Sequence, residues 1–142
     1  MRPNKRGPWP RGGMTSSRAD TEDAHQRALA DYLDLIGVLW CHVPNGGARN
    51  AAEGGKLKAQ GVKTGVPDVL IFDVPPGCPR VHGIAIELKR PKGAHGGRAG
   101  KPTDAQLRWL EDLSNHHWLT RVCCGSAEAI DWLCSLGLRS ES

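Results

Sequence analysis

Two short stretches hold residue types that could do chemistry together: Pro67-Asp68 and Glu87-Leu88-Lys89. The first opens the apolar run Val69-Leu70-Ile71-Phe72, and the second closes the run Gly83-Ile84-Ala85-Ile86. Short apolar runs bounded by Pro and Gly predict buried strands, and Pro75-Pro76-Gly77 predicts a turn between them. An antiparallel pair would bring Asp68 and Glu87 to the same end of the sheet. Strand alternation would place Glu87 and Lys89 on one face and turn Leu88 into the core. Two carboxylates and an ammonium would then converge. Oxygen ligands suit a hard cation such as Mg²⁺, which keeps several waters and needs few protein anchors. Such a cation polarises a phosphate ester and lowers the pKa of bound water. A lysine beside it can orient that water or neutralise charge developing on the phosphate. The competing account is an ordinary alternating strand edge, because an E-x-K triplet arises often by chance. The residues alone leave both open.

The elements that would position this group follow from periodicity. Thr21 or Asp20 can cap a helix with acids in its first turn. Ala24, Ala28, Leu29, Tyr32, Leu33 and Ile36 recur at helical spacing, and Gly37 closes the segment. Val38 to Val43 is a β-like run stopped by Pro44-Asn45-Gly46-Gly47. Residues 48–60 read as a polar helix exposing Lys56 and Lys58, and Gly61 and Gly65 flank a loop into Pro67-Asp68. Residues 90–102 form a loop rich in Gly, Lys and Arg. Thr103 then caps a helix whose apolar side includes Leu107, Leu110 and Leu113, with Trp109 nearby. Leu119 to Cys124 is a last strand, and Ser126 caps a final helix through Trp132 and Leu136. The order α-β-α-β-β-α-β-α predicts an α/β domain with a mixed central sheet flanked by helices. The domain is expected over residues 19–138, between a disordered basic tail at 1–18 and a disordered C-terminus at 139–142.

Composition narrows the function classes. A chain of 142 residues, 39% apolar, fits one hydrophobic core. It has no apolar run of roughly 18 residues, so no membrane span is expected. The basic N-terminus lacks an apolar h-region, which predicts a cytoplasmic rather than a secreted protein. The cysteines, Cys41, Cys78, Cys123, Cys124 and Cys134, are odd in number and lack C-x-x-C spacing. They read as reduced structural thiols, with no zinc site. The six histidines form no metal-binding spacing, and His116-His117 reads as a solvated pair at a helix end. Net charge is +4, unevenly spread. Between residues 56 and 108, ten Lys/Arg face four acids, a surplus that could follow a phosphate backbone or merely be a solvated face.

An ordered series of motifs surrounds the acidic group. It runs from Glu22-x-x-x-Gln26 through Val43-Pro44-Asn45-Gly46 with Arg49 to Gly61-x-Lys63-x-Gly65-Val66-Pro67-Asp68. It continues through Ile86-Glu87-Leu88-Lys89 to Thr103-x-x-Gln106, followed by Trp109 and Leu113. This series, over about residues 20–136, resembles the VRR-NUC (virus-type replication-repair nuclease) domain of the PD-(D/E)xK nuclease superfamily. The resemblance implies a restriction-endonuclease-like core and a DNA endonuclease dependent on Mg²⁺ or Mn²⁺. It implies Asp68, Glu87 and the backbone carbonyl of Leu88 as metal ligands, with Glu22 near the metal directly or through water. Lys89 and Gln106 would complete the catalytic set, and Gln26, Asn45, Arg49 and Lys63 would meet DNA. Stand-alone members resemble Holliday junction resolvases, which implies a homodimer acting on branched DNA in repair or phage replication, in a bacterial or phage-infected cell. A nicking or restriction-like enzyme on linear duplex is the alternative within the family. A non-catalytic DNA-binding module is the alternative outside catalysis, against which the intact acids argue, since they repel phosphate unless a cation intervenes. The sequence departs from the family at residues 91–102, a longer and more glycine-rich loop than the usual connection, and at Thr103, where serine is common.

Overall fold

The first helix begins where Thr21 Oγ1 accepts the Ala24 N–H at 3.1 Å, leaving Glu22 and Asp23 in the first turn beside the positive end of the helix dipole. In this computed structural model, which describes residues 21–44, 51–93 and 100–140, that helix is α1 (Glu22–Ile36). It ends at Gly37, whose φ of 75° is the left-handed conformation that returns the N–H to Leu33 and Asp34 carbonyls. There follow β1 (Trp40–His42), α2 (Ala51–Ala59), β2 (Val69–Ile71), β3 (Gly83–Lys89), α3 (Asp104–Asn115), β4 (Trp118–Cys124) and α4 (Ser126–Ser135). The order of elements is the one periodicity predicts. The strands lie β1-β2-β3-β4, antiparallel except for the parallel pair β3/β4, so the sheet is mixed and α3 is the crossover. The predicted tail at 1–18 and the Asn45 and Arg49 positions fall outside the described residues. Among the described residues no helix is long and apolar enough to cross a membrane.

Alternation on the central strands decides what packs where. Val69, Ile71, Ile84, Ile86 and Leu88 join Leu29 and Leu33 of α1 and Ala129 and Leu133 of α4 in one buried cluster. Each large apolar side chain so buried stabilises the fold by about 1.5–3 kcal/mol relative to exposure. Ala85, Glu87 and Lys89 alternate away from that cluster, yet they too are buried.

Three local expectations change in the fold. Leu107 is 47% exposed, so the covered side of α3 runs through Leu110, not Leu107. Ser126 is the first residue of α4, not its cap; the cap position is Gly125, which has no side chain to offer. Instead His25 Nδ1, from α1, accepts the Ser126 N–H at 2.9 Å. All five cysteines are free, but only Cys123 is a core residue, while Cys41 and Cys124 are exposed.

Candidate active site

Asp68 stands one residue before β2, and the Val69↔Ile86 pairing carried one step further sets it opposite Glu87. The predicted convergence at one end of the sheet is present. Two further bonds hold Asp68 there. Its Oδ2 accepts the Leu88 N–H at 2.7 Å, and its carbonyl accepts the Val43 N–H at 2.8 Å. Glu87 is fully buried and Lys89 is only 8% exposed. Lys89 Nζ lies 3.2 Å from Glu87 Oε1, an ion-pair distance. Apart from this contact and the neighbouring Asp68, neither Glu87 oxygen has a hydrogen-bond partner among the described residues. Burial, and then the charge of Asp68, push the Glu87 carboxyl from its ordinary 4.5 to about 8, against a smaller downward pull from Lys89.

A buried acceptor left without a donor costs roughly 1–3 kcal/mol, and more when it is charged. Native proteins rarely tolerate that without a ligand or a catalytic reason. A hard divalent cation would supply what is missing: it coordinates oxygen, and its charge would offset two neighbouring carboxylates. Asp68, Glu87 and the Leu88 carbonyl form a donor set of this kind. In an antiparallel ladder a residue's N–H and C=O leave on the same side, so the Leu88 carbonyl faces the Asp68 side. Among the described residues no three or more His, Cys, Asp or Glu side chains are gathered to hold a metal. A cation here would keep several waters, as Mg²⁺ does.

Above these groups lies a cleft of about 370 Å³ lined by Glu22, Asp23, Gln26, His42, Pro44, Asp68 and Leu88. Glu87 is not on its surface. Glu22 therefore faces the acidic end without belonging to a closed ligand set. Glu22 Oε1 and the Lys89 stem both border Gly100, where an added Cβ would lie 3.4 Å from Glu22 Oε1 and from Lys89 Cδ. Gln26 lines the same cleft with a buried amide nitrogen that has no partner among the described residues.

Gln106 stands in the first turn of α3. Its side-chain oxygen accepts the Thr103 N–H at 2.8 Å, while Thr103 Oγ1 accepts the Gln106 N–H at 3.2 Å. This is a reciprocal capping box at the start of α3. Among the described residues Gln106 makes no hydrogen bond to Asp68, Glu87 or Lys89. Lys63 is exposed and lines a second groove, apart from the acidic cleft.

Two residues that position the site carry little signal in the sequence. His42 Nδ1 lies 2.7 Å from the Asp68 carbonyl; because a carbonyl only accepts, Nδ1 carries the proton and holds the Asp68 backbone from the β1 side. Strand alternation next to Pro44 could have suggested it. Gly65 has φ 88° and packs so tightly on α3 that a Cβ would come within 2.7 Å of the Ala105 carbonyl carbon. With Trp109 Nε1 donating to the Thr64 carbonyl at 3.1 Å, α3 clamps the loop that delivers Asp68.

The VRR-NUC domain family matches residues 20–127. A solved structure described as a VRR_NUC domain protein superimposes with a TM-score of 0.61 at 26% identity, covering 84% of this chain and 91% of its own. No curated protein matches. The match spans α1 to the start of α4 and includes every residue of the buried acidic group; the chain belongs to the VRR-NUC family of nuclease domains.

Proposed function

We propose that the protein is a metal-dependent endonuclease that hydrolyses the phosphodiester backbone of DNA. The observation that carries this reading is the fully buried Glu87 carboxylate, set beside Asp68 and Lys89 and without a hydrogen-bond partner among the described residues. Mg²⁺ or Mn²⁺ would supply Lewis acidity and a bound water of lowered pKa. Asp68 and Glu87, with the Leu88 carbonyl, hold the cation. The Leu88 N–H fixes one Asp68 oxygen, so that carboxylate pays little entropy on coordination. Lys89 exchanges its contact with Glu87 for a phosphate oxygen or for the attacking water, and its burial keeps the ammonium in place. Glu22 acts through water from the cleft wall, and Gln26 donates its free amide to substrate. Gln106 serves by starting α3 where it clamps the 61–67 loop.

We assign a branched DNA substrate and a homodimer, two copies presenting two such sites to two strands; a basic surplus between residues 56 and 108 is available for phosphate contact. The test is cleavage of a labelled four-way junction and a matched linear duplex in Mg²⁺, Mn²⁺ and EDTA, with Glu87→Gln as control. Metal-dependent junction cutting that disappears in the variant is the expected result. Equal cutting of the duplex would remove the junction preference, and no cutting of either DNA in either metal would sink the nuclease reading. Light scattering on the eluting protein should return a dimer mass; a monomer at every salt concentration would remove that assignment.

A further inference from the structure

Helix α2 is built against the preferences of a free-standing helix. It has nine residues, two of them the consecutive glycines Gly54 and Gly55. None of residues 52–59 is buried. Helices this short are marginal in water, and an interior glycine weakens a helix relative to alanine. Glycine inside a helix usually answers to a neighbour too close for a Cβ. Here a Cβ at either position would meet nothing within 4 Å among the described residues. Packing among the described residues therefore does not account for them.

What lies beside the glycines does. The loop after α2 folds back on it through the Val62 N–H to the Leu57 carbonyl at 3.0 Å and the Gly61 N–H to the Lys58 carbonyl at 3.0 Å. Helix and loop enclose a groove of about 310 Å³ lined by Gly54, Leu57, Lys58, Val62, Lys63 and Thr64. Lys58 and Lys63 are exposed on it, Lys56 stands in the same helical turn as Lys58, and the helix carries one acid, Glu53, at its other end. Val62, 46% exposed, adds an apolar surface. The Trp109–Thr64 bond and the contact of Gly65 with Ala105 fix the loop to α3, and Asp68 follows three residues after Gly65. The groove is thus held at a set position relative to the acidic cleft.

We propose that α2 and the 61–64 loop form a docking groove for the sugar-phosphate backbone of a DNA strand, outside the cleavage cleft. Gly54, which lines the groove, and its neighbour Gly55 leave the helix free of side chains that would hold that backbone off. Lys58 and Lys63 neutralise phosphates as solvated point charges without reading sequence. The choice of DNA among polyanions rests on the nuclease reading.

The experiment measures duplex DNA binding in EDTA, where no cutting occurs, across a salt series. It uses the wild-type protein, a Lys58→Ala/Lys63→Ala variant and a Gly54→Ala/Gly55→Ala variant. Loss of the two lysines should weaken binding roughly tenfold at about 0.1 M salt and lower the slope of log K against log salt by about 1.8, at about 0.9 per phosphate. The alanine pair should raise the melting temperature by a few degrees, as helix propensity dictates, and yet weaken binding severalfold. A merely structural role would move stability and leave binding alone. Affinity and salt slope equal to wild type in both variants would overturn the groove while leaving a cleaving wild-type enzyme intact. A wild-type protein that neither binds DNA in EDTA nor cuts it with metal would overturn the groove and the nuclease reading together.

Discussion

Strand β3 and helix α2 treat charge in opposite ways. Every residue of β3 is buried, yet it carries Glu87 and Lys89. Nothing from residue 52 to residue 59 is buried, and Lys56 and Lys58 stand in water. A charge withdrawn from solvent interacts strongly with whatever enters beside it, and its ionisation is set by its neighbours. A solvated charge is screened over about 8–10 Å and acts by number. The first arrangement suits holding one cation and one phosphate in place; the second suits following a polyanion over several phosphates. On the proposed reading, the two regions divide chemistry from grip.

Substitutions at equivalent charges should expose that division. Glu87→Gln should lower cleavage on the order of 10³-fold, while the variant melts no lower than wild type in EDTA at pH 8 or above, because it removes a buried charge. Lys89→Met should lose activity on a similar scale, whereas Lys56→Met should change cleavage at saturating DNA by less than about threefold. Comparable losses at both lysines would break the contrast.

The acidic end also predicts a pH response. The folded state raises Glu87 from 4.5 to about 8, so it binds that proton more tightly than the unfolded chain does. The associated stability is present in full below about pH 4.5 and is lost as pH rises through about 8. Melting temperature in EDTA should therefore fall by several degrees over that window, and Mg²⁺ should restore it at the alkaline end. A profile that Glu87→Gln leaves unchanged would remove Glu87 as the cause.

Smaller effects test how the site is positioned. Gly65→Ala should destabilise by about 2–3 kcal/mol and reduce cleavage, since it combines φ 88° with a 2.7 Å clash against the Ala105 backbone. Gly61→Ala, at φ 100° but with open space, should cost only about 1 kcal/mol in chemical denaturation. Equal costs would mean that the contact with α3 is unimportant. His42→Ala should lower cleavage roughly tenfold by releasing the Asp68 carbonyl. His42→Asn can keep that hydrogen bond and should recover most of the loss; no difference between the two would argue against the bond. His25→Ala, which uncaps α4, should cost about 1 kcal/mol, read as an earlier denaturant midpoint.

Much of this was legible in the sequence because it is local. Thr21 and Thr103 cap their helices through bonds three residues long, and Gly37 ends α1 by its own conformation. Period-two and period-3.6 patterns identify the elements in their order, and the turn between β2 and β3 brings Asp68 and Glu87 together. The motif series also marks the chain's family. Other features depend on partners that no short window contains. The cap of α4 comes from His25, 101 residues away in the chain. Leu107 fits an apolar helical stripe, but the neighbours of α3 cover Leu110 instead. Gln106 was a plausible site residue, and the fold commits its oxygen to a capping box. The sequence by itself determined which residues are acidic, which are apolar and which strands they end. The tertiary structure decided that Glu87 is dry and, among the described residues, without a hydrogen bond to either oxygen, because burial and electrostatic environment are sums over distant elements packing around one point.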